Sequence, residues 1–185
     1  MLAFLLAAVA ISAIAAFTDY RTGQIPNWLT LGGIVVGVVG HVAHGWVAAN
    51  ATTGLSEGAF AIAGLLFCSL APGLLYWKGG MGGGDLKLFA AIGALCQPML
   101  GIEIQMYALV IAAIVAPARL AYEGKLFRVL GASFSLVFNP LRRPENRREV
   151  PVETMTWFRL GPAIFGGAVT TLAIHGYAVL SRYSP

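Results

Sequence analysis

Long apolar stretches alternate with short polar ones along the chain, and the length of each apolar stretch decides what it can become. Met1 to Phe17, Leu29 to about Val47, Gly58 to Trp77, Met99 to Ala118 and Leu160 to Leu180 are long enough to cross a membrane as helices. Leu86 to Leu95 is equally apolar but shorter, and Gln97-Pro98 closes it. The pattern predicts an all-α integral membrane protein of about six transmembrane helices. Between the apolar stretches lie a polar loop at Thr18–Asn27, in which Pro26 restricts Gln24-Ile25 to extended or turn geometry, and a polar connection at Ala48–Glu57. Pro72-Gly73 is a candidate bend in the third span.

Composition supports this reading. Hydrophobic residues make up 58% of the 185, and charged residues only 11%, which is too apolar for a soluble domain. A single membrane domain, 1–185, is the simplest count. Ala13-Ile14-Ala15 resembles a signal-peptide cleavage site, but no Lys or Arg precedes the first apolar run, so a retained first span is expected. Cys68 and Cys96 sit in apolar runs without CxxC spacing and read as small hydrophobes.

Charge fixes the expected orientation. The 119–159 connection holds eight Arg or Lys against four Glu, and Arg21, Lys78 and Lys87 fall in the loops on the same side. The connections at 48–57 and 97–103 hold no Lys or Arg. By the positive-inside rule the N-terminus is outside and the basic loops are cytoplasmic, with Arg182 a lone exception. This accounts for the net charge of +4 without a nucleic-acid partner; membrane lipids are the expected surroundings. Tyr122 to Phe138 mixes Lys125 and Arg128 with Leu and Phe, and reads equally as an amphipathic helix on anionic lipid or as a loose loop. Arg142 to Glu153, with two prolines, is expected to be irregular.

Two aspartates then emerge on the cytoplasmic side. Asp85 follows the glycine-rich stretch Gly79-Gly80-Met81-Gly82-Gly83-Gly84, which can bend sharply and admit a close neighbour. Taken alone, Asp85 is equally an N-cap of a helix beginning at Leu86. Asp19 follows the first span, where a helix dipole disfavours an anion, and a surface ion pair with Arg21 is its plain structural role. Facing each other, the two carboxyl groups would share one proton. One could then act as general base on a water while the other, protonated, polarises a scissile carbonyl. Such a dyad needs no metal and no cofactor, and none is expected. A helix over Leu86–Gln97 rises only about 18 Å against a hydrocarbon core of about 30 Å. Asp85 is therefore expected inside the membrane boundary, in a cavity open to the cytoplasm.

The residues also carry a resemblance. Asp19-Tyr20-Arg21-Thr22-Gly23-Gln24-Ile25-Pro26-Asn27 resembles the first aspartate motif of type IV prepilin peptidases. Gly82-Gly83-Gly84-Asp85-Leu86-Lys87 is similar to their second, a GxGD motif shared with presenilin-type intramembrane aspartyl proteases. The resemblance covers the six-span core and implies that Asp19 and Asp85 are catalytic, with Arg21, Pro26, Asn27, Gly82, Gly84 and Lys87 supporting. It implies removal of short basic leaders from prepilins or pseudopilins in the bacterial inner membrane, commonly after a glycine. Larger members carry a cytoplasmic insertion with paired CxxC cysteines and an N-methyltransferase activity. Both the insertion and those cysteines are missing, so the chain resembles the small peptidase-only branch associated with tight-adherence (Flp) pili.

Other chemistries compete less well. A proton-coupled transporter would also use intramembrane acids, but no inverted repeat is evident and the acids lie toward one face. A non-catalytic pilus assembly factor is the other alternative. His41 and His44, three apart, have metal-ligand spacing but fall short of the three or four ligands a site takes. His175 has no evident partner. Gly131-Ala132-Ser133 is only faintly similar to a rhomboid nucleophile and falls in the basic connection.

Overall fold

A computed structural model describes residues 1–124, 127 and 159–183. Among them are five helices and no strand: α1 (Leu2–Thr22), α2 (Asn27–Ala48), α3 (Ala51–Trp77), α4 (Gly83–Tyr122) and α5 (Gly161–Tyr183). By length and composition α1 to α4 can each cross a membrane. The chain divides into two compact units, Met1–Ile111 with Arg159–Pro185, and Ala112–Phe158. In the second unit the described residues are the end of α4, where Arg119 pairs with Glu123 at 3.1 Å, then Gly124 and Phe127. The expected amphipathic stretch, the irregular 142–153 segment and Ser133 lie outside the described residues, apart from these few positions.

The count of six helices is not what the described residues show. The predicted fourth and fifth spans share one 40-residue element, α4, in which two helical segments meet without a loop at Gln97, whose backbone is not helical (φ 59°, ψ 177°). At that break the chain turns back sharply. A Cβ on Gly101 would lie 3.1 Å from Cα of Gly93, whereas eight residues of straight helix separate Cα atoms by about 12 Å.

Three boundaries also differ from the sequence reading, each for a local reason. Thr18–Thr22 is the last turn of α1 and not a loop. Thr18 and Thr22 donate their hydroxyls back to helix carbonyls, and Gly23 is the first residue to take the left-handed cap (φ 69°). The polar stretch 51–57 is the start of α3, because Asn50 Oδ1 accepts from the Thr53 N–H at 2.9 Å and from two threonine hydroxyls. Helix α4 begins at Gly83, two residues before Asp85, so Asp85 is not its N-cap.

The core is the first part of α4. Every residue from Leu88 to Cys96 is buried, so this segment is apolar all round because it is enclosed all round. Its neighbours approach through glycine, as membrane helices do when small residues let backbones close. A Cβ on Gly37 of α2 would stand 2.6 Å from the Ala94 carbonyl carbon, and one on Gly64 of α3 would be driven into the Gly93 carbonyl oxygen. Beyond the break, Gly167 of α5 packs against Ile104 and Ala108. Pro72 is buried within α3.

Candidate active site

The C-terminal end of α1, the 23–26 turn and the first turn of α4 come together at one end of the first unit. Helix α3 ends in a Schellman motif: Gly79, at φ 72°, donates to Tyr76 O at 2.9 Å, and Gly80 donates to Leu75 O at 2.8 Å. That turn delivers the chain to Gly82 and the start of α4. A Cβ on Gly84 would meet Ile25 Cβ at 3.2 Å, so the second glycine motif lies directly against the first motif's turn. Lys87 Nζ donates to Asn27 Oδ1 at 2.9 Å and ties the same two segments.

Asp19 is 6% exposed and Asp85 half-buried. Asp19 is close enough to act electrostatically on the Asp85 carboxyl, which also takes a backbone hydrogen bond from Gly82. As third residue of α4, Asp85 reaches back to the residue before the helix, the geometry of a capping box. Oδ2 of Asp19 accepts from the Gly161 N–H at 3.1 Å, a buried bond to the first residue of α5. Arg159, just before that helix, donates to the Tyr20 carbonyl and lies over the Tyr20 ring at 5.9 Å.

Of the motif residues, Gly84, Asn27 and Lys87 join the two segments as described, and Gly82 bonds Asp85 within its own segment. Pro26 supplies the carbonyl that starts α2, accepting from Leu29 at 3.2 Å and Thr30 at 3.4 Å. Arg21 is turned elsewhere, with its guanidinium 4.6 Å from the Phe17 ring centroid, and no ion pair joins it to Asp19 among the described residues. Gly161 and Arg159 were not legible as site residues. Gly161-Pro162 does signal a helix start, since proline is favoured in a first turn, but nothing in the sequence says which side chain that start meets.

The histidines belong to other places in the unit. His41 is buried, stacked on Phe4 with centroids 3.8 Å apart, and bonded through Nε2 to Leu95 O at 2.9 Å. His175, expected to be alone, sits 2.8 Å from Glu103. No group of three or more His, Cys, Asp or Glu suited to a metal occurs among the described residues.

The arrangement offers two neighbouring carboxyl groups, each held by a backbone amide, beside a glycine-lined turn. That is the equipment for acid–base activation of a water molecule. Comparison with known families finds a match to the model described as the type IV leader peptidase family over residues 5–117. No curated protein matches the chain, and no solved structure does.

Proposed function

The chain belongs to the type IV leader peptidase family, and from that premise we propose that it is an aspartyl endopeptidase cutting the short basic leader from prepilins or pseudopilins. Family membership makes it a peptidase acting on prepilin-type substrates, and the apolar helices make it a multi-pass membrane protein. In this reading Asp19 and Asp85 are the catalytic pair. One carboxylate takes a proton from water as its oxygen attacks the scissile carbonyl carbon, while the other, protonated, gives its hydrogen to the carbonyl oxygen. Collapse of the tetrahedral intermediate breaks the C–N bond: the departing amine takes the proton the base had received from water, and a hydroxyl of the intermediate returns its proton to the other carboxylate.

The observation that supports the reading is that the turn after α1, which carries Asp19, packs against the start of α4, which carries Asp85: a Cβ on Gly84 would meet Ile25 Cβ at 3.2 Å, and Lys87 Nζ donates to Asn27 Oδ1 at 2.9 Å. The cut would fall on the cytoplasmic side of the bacterial inner membrane, with the N-terminus outside. There the substrate's basic leader is retained by the same charge rule that orients the enzyme. The chain would act as a peptidase without N-methyltransferase activity. Co-expression with a candidate prepilin tests the reading: loss of the leader on a gel is expected, and a prepilin of unchanged mobility with every such substrate would overturn it.

A further inference from the structure

Asp19 stands near the C-terminal end of its own helix, where partial negative charge from the last carbonyls disfavours an anion. Opposite it is the start of α5, where partial positive charge and free N–H groups favour one. The contact is specific. The Gly161 N–H donates to Oδ2 of Asp19 at 3.1 Å, across 142 residues of chain, in a buried setting. The space is equally specific. A Cβ on residue 161 would stand 2.8 Å from that same oxygen, 3.0 Å from Asp19 Cβ and 3.2 Å from Ala16 Cα. Ala16 Cα is backbone, so the group that would have to move is the Asp19 side chain. Arg159, bonded to Tyr20 O, anchors the start of α5 to the end of α1 at a second point.

We propose that Gly161 is a positioning residue of the hydrolytic reaction: its N–H fixes Oδ2 of Asp19, and its missing side chain leaves the room that carboxylate occupies. The amide takes one lone pair of Oδ2, which leaves Oδ1 and the second lone pair of Oδ2 for the reacting water. The inference rests on the reading of Asp19 as catalytic. Gly161 lies outside residues 5–117, so the family match does not assign it.

The test uses the full chain reconstituted in lipid, with a prepilin as substrate. Gly161→Ala keeps the N–H but displaces the carboxylate, and a misplacement of this kind costs on the order of 100-fold in turnover. The expected result is a fall of about that size in kcat with KM changed less than about threefold, since the substrate-binding surface is untouched. Gly176→Ala, where a Cβ meets nothing within 4 Å, should cleave as wild type does. Cleavage by Gly161→Ala within about threefold of wild type would overturn the inference while leaving the peptidase reading intact. Failure of the wild-type protein to cleave would instead overturn the reading itself.

If Gly161→Ala does not fold, the Gly161 amide resonance decides. In glycine-labelled protein its proton should move upfield when Asp19→Asn replaces the charged acceptor, and should move far less in Asp85→Asn. An unchanged Gly161 resonance in Asp19→Asn would overturn the inference.

Discussion

A carboxylate at the wrong end of its own helix needs a partner from elsewhere, and Asp19 takes its partner from α5. Asp85 has the opposite situation, since the first turn of α4 favours its charge. The two acids therefore rest on different backbone supports. Lys87 illustrates how a motif residue can be absorbed by structure. Its ammonium is bonded to Asn27, so it acts on the geometry of the two motifs before it acts on a substrate. Because that bond is exposed, its net contribution is at most about 1 kcal/mol. Lys87→Ala and Asn27→Ala are thus expected to slow cleavage by the same modest factor, about tenfold or less, and the double variant to be no slower than either. Cleavage rates of the three variants check this; a much larger KM effect for Lys87→Ala alone would move Lys87 to the substrate side.

The short first part of α4, 83–96, is the element on which the site depends. As a helix it rises only about 21 Å, less than a hydrocarbon core, yet it is enclosed by protein. Its far end is held by a polar clasp. The break at Gln97 frees the Leu95 carbonyl, which His41 Nε2 takes at 2.9 Å, while Gln97 Nε2 reaches Glu57 Oε2 at 2.6 Å and His41 Nδ1 at 3.3 Å. A proton on Nε2 of His41 satisfies every one of these bonds. Its near end carries Asp85. Gly64→Ala should test how rigid this seat is: the new methyl meets the Gly93 carbonyl and, at 2.8 Å, the Gln97 carbonyl carbon, both backbone. Overpacking of that kind costs about 1–3 kcal/mol, read as a lowered melting temperature in detergent. A melting temperature equal to wild type would show that α3 and α4 are free to separate.

The helices of this region were legible because apolar run length is a direct readout of spanning capacity. Their ends were less so. Thr18–Thr22 and Thr52–Glu57 are polar, but threonine hydroxyls satisfied by helix carbonyls and a capping Asn50 let polar residues continue or begin a helix. The two motifs singled out Asp19 and Asp85 as the candidate pair. The contact with Gly161 was not legible, because it is made only when α5 packs on α1.

At the scale of the whole molecule, the outward faces of the helices are apolar and the ends carry tryptophan. Trp28 and Trp77, 69% and 80% exposed, flank the end that holds the aspartates, and Trp46, 63% exposed, lies at the far end of α2. Tryptophan at both levels is the pattern of a protein bounded by two membrane interfaces. A cysteine placed at Thr52, in the polar start of α3, is expected to react with an impermeant thiol reagent in intact cells, and one placed in 142–149 to be protected. The reverse pattern would put the aspartates on the outside, away from a basic leader. Glu103, paired with His175 and not with either aspartate, provides a control outside the proposed site. The most direct test of the central claim is leader cleavage by purified protein in lipid vesicles containing excess EDTA. Wild type and Glu103→Gln should cleave there, because two carboxyl groups and water suffice, whereas Asp19→Asn and Asp85→Asn should each lose about 100-fold or more in kcat/KM while remaining folded. Cleavage by either asparagine variant near the wild-type rate, or loss of wild-type cleavage in EDTA that a divalent cation restores, would contradict the account.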